Sequence, residues 1–544
     1  MTTETYKFYL LGDDPSTAVE TTFDSAHDDL TALRRRVGIT FHVEHRAAID
    51  NIDQLTGVTS PIGCLVDGQH VREVQGPQGL PVVGSFYEVF PDHLGNHERL
   101  FRKYGSLIKT VNMGKTTYLT NSPEIAANVF AESPYMTKYI NPSHPLFGLK
   151  DNTALFVGDT ETDNWRLGHK FIPPALSPKA VKHYTPLMQD TVRASFKVFD
   201  ELDKRNEAFN VYQYMLKLAS QTIGKFAFGV DLHQFDDVDS PLHALVMHTA
   251  SVLALNKKIS ARGEWYKSLP FGDPALLKNT HRKLYAMIQD AIDAVKMDES
   301  ADLQLDDAAL KASCVVDYLS RAVDSQGQKL PLNLILANMV IIFGAGFTTT
   351  SAALSWMIFS LVNYEGAQER LLQELVDSGM DGKRDWDADD IAKLSYLDSF
   401  VKETQRLHNP SFQPGRTTKM ACVMPEGYRM PADAVIIPAI YAIHSNPKIW
   451  HDPHRFDPDR WNTPEVKQRH RCAYIPFATG PRGCIGFNFA LQEIKVLLSE
   501  LVYRYEFVRE GDEAVEYDPE FQLIRPLNFF AYAKKRTSWP EKSS

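Results

Sequence analysis

Cys484 lies in the stretch PFATGPRGCIGFNFA (476–490), a setting unlike that of Cys64, Cys314, Cys422 or Cys472. Gly480, Gly483 and Gly486 free the backbone around it for tight turns and close approach, and Arg482 puts positive charge next to the sulfur. A helical run, FNFALQEIKVLLSELV, begins directly after Gly486. The sulfur therefore stands near a helix N-terminus, where a thiolate is favoured, and a thiolate is a nucleophile or a metal ligand. The other four cysteines read as small buried hydrophobes.

A second stretch, GAGFTTTS (344–351), interrupts an otherwise apolar run from Leu334 to Trp356 that reads as a buried helix. Glycine and threonine there cost up to about 1 kcal/mol each relative to alanine, so their presence asks for a reason. The Thr349 hydroxyl can bond the carbonyl of Ala345 and open the helix locally. Tight packing of one helix on another would also account for the glycines. Two pairs share helix faces: Glu403 with Arg406 in KETQRLHNP, and Trp165 with His169 in DNWRLGHKF. Taken alone, the first is an ion pair of small worth and the second is plain packing.

Long amphipathic helices from about 180 to 408 must carry these residues, with short strands and turns at 420–440 and one more helix after Gly486. LIKTVNMGKTTYLT (107–120) reads as a hairpin, and Ser122, Pro123 and Glu124 as a helix start. The acidic and polar MDESADLQLDD (297–307) reads as a connecting loop. The fold class is mainly α, an α+β arrangement of a helix-rich domain with small peripheral sheets. Residues 1–75 form a small α/β appendage: strand YKFYLL (6–11), helix DDLTALRRR (28–36), strand GITFHV (38–43) and a hairpin around VDGQ (66–69). The turn-rich GPQGLPVVG (76–84) marks the boundary, leaving 76–544 as the main domain.

Composition narrows the function. A net charge of −10 offers no basic excess for phosphates, which argues against nucleic acid as a partner. Five widely spread cysteines without CxxC spacing exclude a disulfide framework and disfavour zinc. The N-terminus lacks the pattern of a signal peptide. LILANMVIIFGAGF (334–347) is too short to span a bilayer. A soluble cytoplasmic protein without a transmembrane anchor is expected, with a peripheral membrane contact left open.

The spacing Phe477-x-x-Gly480-x-Arg482-x-Cys484-x-Gly486, with Ala490 beyond, resembles the haem-ligand signature of the cytochrome P450 superfamily. Three other stretches resemble the family too. Glu403-x-x-Arg406 with Arg460 in PDRW looks like its Glu–Arg–Arg network. Trp165 and His169 look like its Trp-x-x-x-Arg/His helix. GAGFTTTS looks like its oxygen-binding segment, with Ala345 and Gly346 in register, Thr349 as the oxygen-activating threonine and Thr348 where an acid is usual. The likeness covers roughly 76–536 and is strongest to soluble, self-sufficient fatty-acid-hydroxylase-type members, without their fused reductase.

The resemblance implies a cytochrome P450 fold and haem b (iron protoporphyrin IX), with Cys484 as the axial thiolate that favours O–O cleavage. It also implies that Phe477 covers the sulfur, that Gly480 and Gly486 shape the loop, and that Arg482, Trp165, His169 and Arg416 reach the propionates. The implied activity is a monooxygenase (EC 1.14 type) acting with O2 on a hydrophobic substrate: a fatty acid, or a secondary metabolite such as a polyketide or terpenoid. A separate NADPH-dependent flavoprotein reductase would supply electrons, with Lys467, Arg469, His470 and Arg471 as a candidate docking surface. Two alternatives stand beside it: a hydroperoxide isomerase, dehydratase or peroxygenase needing no reductase, and a non-catalytic haem sensor. A hydroxyl at Thr348 can relay a proton but cannot titrate as a carboxylate does. Pocket walls would come from 135–150, 229–265 and the surroundings of Phe347 and Phe412. Substrate, redox partner, oligomeric state and the role of residues 1–75 are not written in the sequence.

Overall fold

Burial alternates along the first strand, β1 (Thr3–Leu10): Tyr6, Phe8 and Leu10 are buried while Glu4, Thr5 and Lys7 are exposed. Its partner β2 (Val19–Asp24) buries Thr21 and Phe23 in the same rhythm. Helix α1 (Leu30–Thr40) starts at Asp29, whose side chain accepts the N–H of Ala32, and buries Leu33 and Val37 one turn apart. With β3 (Ala47–Ala48) and β4 (Ile62–Val66) the sheet order is β2-β1-β4-β3, β1 lying antiparallel to β2 and parallel to β4. Residues 38–40 are the last turn of α1, not the start of the strand expected at 38–43. The spacing of Leu33 and Val37 carries the helix through Gly38, and the turn follows at His42, where φ is 55°.

The computed structural model describes every residue except 1–2, 25–26, 44–46, 49–61, 67–69, 151–152, 263, 296–301, 384, 412–413, 520, 522 and 544. Residues 67–69 of the hairpin expected around 66–69, the first part of the loop 297–307 and Phe412 thus lie outside the described residues. The second part of that loop is ordered structure: Leu303–Gln304 pairs with Ala322–Val323, and a helix begins at Leu305.

The chain forms two compact units. The first comprises Met1–His144, Gln413–Ile443 and His470–Arg482. In it the core of residues 1–75 is continuous with Val423, and Arg72–Glu73 pairs with Tyr428–Met430. The hairpin Leu107–Asn112/Lys115–Thr120 anchors a five-stranded sheet that takes in Val435–Pro438, Arg416–Thr418 and Met136–Thr137. Ser122 caps the helix Pro123–Phe130 through the N–H of Ile125.

The second unit, Pro145–Phe412, His444–Arg469 and Gly483–Ser544, is the helical part. Its elements that bear on the site are α2 (Asp163–Phe171), α3 (Val211–Phe228), α4 (Ala244–Arg262), α5 (Leu332–Asn363), α6 (Ser395–Leu407) and α7 (Phe487–Arg504). Helix α5 is the apolar axis, flanked by α3, α4 and α7. Its 32 residues are long and apolar enough to cross a membrane, which corrects the shorter span read from 334–347. Yet 56% of its most apolar window is buried inside the protein, as in the core helix of a globular unit.

Candidate active site

Helix α5 runs unbroken through GAGFTTTS because its hydroxyls satisfy themselves along the helix. Thr348 donates to the Gly344 carbonyl (2.8 Å), Thr349 to Ala345 (3.0 Å) and Ser351 to Thr348 (3.0 Å). The expected bond of Thr349 to Ala345 is present, but the helix does not open there: all residues from Leu332 to Asn363 are helical.

The glycines answer to packing. A Cβ on Gly346 would stand 2.5 Å from Cδ1 and 2.6 Å from Cγ1 of Ile223 on α3, and one on Gly344 would stand 3.0 Å from Thr249 Cγ2 on α4. Small residues there let α5 approach its neighbours closely. Another face is open: Ala345 is exposed and Ile341 and Thr349, one turn to either side, are half-buried. Phe343, Gly344, Phe347, Thr348 and Thr350 around them are buried. Thr349 therefore belongs to the open stripe, whereas Thr348 is 3% exposed and turned into the protein.

Cys484 also faces open space; it is exposed, while the other four cysteines are buried. It precedes α7, whose N-cap is Gly486. A Cβ added to Gly486 would meet Cys484 Sγ at 3.9 Å. The protein around the sulfur still desolvates it, which pushes its thiol pKa above the ordinary value, with the Gly486 N–H pulling the other way. Burial and the N–H at the helix start thus act in opposite directions on this thiol. A cation bound to the sulfur is what would ionise it.

Within the first unit, Gly480 has φ of +75°, and a Cβ there would run into the Phe130 carbonyl at 2.2 Å, so only glycine fits. Phe477 is half-buried. Arg416 is 2% exposed and paired with Glu132 at 2.7 Å, with its guanidinium over the Phe130 ring. Its Nη2 is buried without a hydrogen-bond partner. Burial pulls the Arg416 pKa down while Glu132 supports the charge. His144 is held neutral, its pKa pushed down to about 3, first by burial and then by Lys138, with Arg416 and Arg482 adding to the effect. Lys138 and His144 were not singled out from the sequence. A buried lysine carries no motif, and only the fold gathers it with two arginines.

In the second unit, Trp165 and His169 lie against each other on α2, ring centroids 4.8 Å apart, His169 exposed and Trp165 half-buried. The Glu–Arg–Arg motif is a completed network. Glu403 is fully buried; its Oε1 accepts from Arg406 Nη2, Arg460 Nε and the Asp457 N–H, and its Oε2 from Arg406 Nε and Trp461 Nε1. Both arginines bond carbonyls of the segment 444–455: Arg406 reaches His444, Pro453 and Arg455, and Arg460 reaches His451, Asp452 and Arg455. Arg469, expected on a docking surface, is instead stacked 4.4 Å over Trp450 with its side chain 12% exposed. Lys467 and Arg471 are exposed.

Taken separately, each unit offers groups that fit a haem: the second an exposed cysteine beside a side-chain-free glycine and an open stripe on α5, the first a buried arginine with an orphaned donor amid further cations. The sulfur suits the iron, the cations suit two propionates, and the stripe leaves room at a helix surface.

The comparisons agree. Residues 74–529 match the cytochrome P450 family. The chain is 52% identical over 510 residues to cytochrome P450 monooxygenase alnD of Emericella nidulans, covering 93% of this chain and 92% of that one. It is 27% identical to human cytochrome P450 4F2 over 67% of this chain and 70% of the relative. It is likewise 27% identical to leukotriene-B4 omega-hydroxylase 3 of Mus musculus over 64% and 68%. The crystal structure of the cytochrome P450DA heme domain superposes with a TM-score of 0.76 at 20% identity, covering 86% of this chain and 98% of that one. With its fold, cysteine loop and relatives in agreement, the chain belongs to the cytochrome P450 family of haem-dependent monooxygenases.

Proposed function

We propose that this protein inserts one oxygen atom of O2 into a hydrophobic substrate, a fatty acid or a secondary metabolite such as a polyketide or terpenoid. Electrons would come from a separate NADPH-dependent flavoprotein reductase. The observation that carries this reading is the open stripe of α5, where Ala345 is exposed and the Thr349 hydroxyl is held on the Ala345 carbonyl. Such a stripe, small and otherwise apolar, suits O2 beside a hydrocarbon. The relative named for leukotriene B4 supports an acyl-chain substrate.

Haem b bound at Cys484 would supply the oxidising chemistry. The chain's own residues do the rest. Cys484 ligates the iron, Phe477 and Gly486 shape the space around the sulfur, and Gly480 turns the loop. Arg482, Arg416, Trp165 and His169 are the candidates to hold the propionates. Thr349 orients a proton donor on the oxygen side, beside Ala345 and Gly346. Glu403, Arg406 and Arg460 brace the segment that leads toward the cysteine loop. Residues 1–75 are read as an appendage to the domain 76–544, which suits a family match that begins at residue 74. Five cysteines with no disulfide among them suit a reducing, cytoplasmic setting.

Thr348 favours a second reading: with no acid there, the chain would rearrange or dehydrate a lipid hydroperoxide without a reductase. Activity with reductase, NADPH and O2 is to be compared with activity on a lipid hydroperoxide alone, using fatty acids, polyketides and terpenoids that shift the haem spectrum. Turnover confined to the hydroperoxide would replace the first reading with the second. Cys484→Ala should remove the red-shifted Soret band of the reduced carbonyl complex; its survival would refute Cys484 as ligand.

A further inference from the structure

Strand β2 ends the sheet β2-β1-β4-β3: one side pairs with β1, and the other with no strand among the described residues. Such an edge is a row of backbone N–H and C=O groups set to receive another strand. Proteins blunt their edges with proline, a bulge, a very short strand or an inward-pointing charge. β2 carries none of these. It is six residues long, VETTFD, and its register with β1 is unbroken from Thr3 opposite Asp24 to Phe8 opposite Val19. Glu20 stands on the solvent face, where Lys7 of β1 meets it at 3.5 Å. On the inner face Thr21 and Phe23 are buried, but Val19 at the strand's start is 41% exposed. The edge is also held in place, since the core of Tyr6, Phe8 and Phe23 continues into Val423 and Arg429 pairs with Asp13. A strand that docks there has little to order.

The residues of β2 decide what fits against it. In a continuous antiparallel sheet, residues directly opposite one another share a face. Two copies of β2 related by a two-fold axis must therefore set odd positions against odd and even against even. An axis at Glu20 sets Glu20 against itself, and an axis at Thr22 sets Glu20 against Asp24 of the second copy. Like charges directly opposite oppose both registers. An axis at Thr21 sets no charge against a charge. There Thr21 meets Thr21, a favourable cross-strand pair, and Glu20 meets Thr22. Val19 meets Phe23 twice by symmetry, so each exposed valine is covered by an aromatic ring of the other copy.

We propose that the β2 edge is a self-association surface. A second copy of this chain docks its own β2 there, antiparallel about Thr21, and the two sheets become one. The contact gives the appendage a task that the haem domain does not need it for: it joins two copies through residues outside the site. Strands of this length bury less than a standard interface, so the dimer is weak and exchanges with monomer.

Sedimentation of the haem-loaded full chain across a series of concentrations tests this and should show a monomer–dimer equilibrium. Thr22 is exposed, so charges can be placed there without disturbing the core. Thr22→Lys sets a cation opposite Glu20 of the second copy, and Thr22→Glu sets an anion there, each twice by symmetry. The first variant should tighten the dimer and the second loosen it, roughly two- to thirty-fold in dissociation constant each way. Both effects should shrink as salt is raised. The circular dichroism and reduced carbonyl spectrum of each variant should match the parent's, which separates a weaker contact from a misfolded chain. A monomer at every concentration overturns the inference. So does a dimer that both variants leave equally stable, because its contact then lies on another surface. Protection of the β2 amides from hydrogen exchange only when a different protein is added would give the edge to that protein instead, and would also overturn it.

Discussion

Arg406 and Glu403 meet in a two-pronged ion pair in which neither side chain is exposed, Nε to Oε2 and Nη2 to Oε1, each at 2.9 Å. Three residues apart on α6, they resemble a surface pair when seen in sequence, and a surface pair is worth little. Burial changes the arithmetic. Glu403 takes five donors and is the one carboxylate shared by two guanidiniums, so removing it leaves both desolvated charges without their counter-charge.

Glu403→Ala should therefore cost about 3–5 kcal/mol, because Arg406 and Arg460 remain buried with no counter-charge. Trp461→Phe, which deletes one donor to Oε2 at 3.1 Å, should cost about 1.5–3 kcal/mol at most. Denaturant unfolding of the haem-loaded protein, with haem retention followed in parallel, checks both. A loss below about 1 kcal/mol for Glu403→Ala would mean that the carbonyls of 444–455 hold the arginines unaided.

Gly346→Ala gains about 1 kcal/mol of helix propensity but drives a methyl group into Ile223. Overpacking of this kind costs about 1–3 kcal/mol, so the net change should be destabilising, though by a small amount. Pairing it with Ile223→Val or Ile223→Ala should recover part of the loss, a coupling of about 0.5–3 kcal/mol in a double-mutant cycle. Additive effects would place the reason for the glycine elsewhere, on the oxygen side of the helix.

Residues whose spacing is local were legible without coordinates. Ser122 and Pro123 at a helix start, the hairpin at 107–120, and the shared faces of Glu403 with Arg406 and Trp165 with His169 follow from periods of two and 3.6. What the sequence could not resolve were competitions between neighbours. Residues 38–43 alternate like a strand, yet Leu33 and Val37 hold the first half in a helix. Gly346 could serve oxygen or packing, and only the position of Ile223 decides. Lys138 and His144 belong to no motif, because their meaning lies in partners far along the chain.

Thr348 and Thr349 are adjacent in sequence and separate in structure, and substitution should divide their roles. Thr349→Ala removes the hydroxyl on the open stripe and should lower the fraction of NADPH that ends in product. Thr348→Val removes a buried hydroxyl bonded to Gly344 and should leave that fraction unchanged, at a stability cost of about 0.5–1.5 kcal/mol. Thr348→Asp would bury a carboxylate, so altered coupling there must be read beside its melting temperature. If Thr348→Val uncouples as strongly as Thr349→Ala, position 348 lies on the proton route.

Four histidines with strongly lowered pKa values set the behaviour in acid. Desolvation pushes the pKa of His97 down to about 4 and those of His144, His408 and His444 down to about 3. In the unfolded chain each protonates near about 6.5. Above that pH both states are neutral and the histidines contribute nothing to stability. Between about 6.5 and 4 the unfolded chain binds protons that the folded one refuses, so each histidine costs about 1.4 kcal/mol per pH unit as pH falls. The four together should add about 5.6 kcal/mol per unit to the acid slope. His408 stacks on Trp356 at 4.8 Å and 14°, so His408→Phe keeps the ring contact while removing one titrating group. Denaturant unfolding across this window should show that variant losing stability more slowly with acid, by about 1.4 kcal/mol per pH unit. An unchanged slope would show that His408 takes up its proton inside the fold.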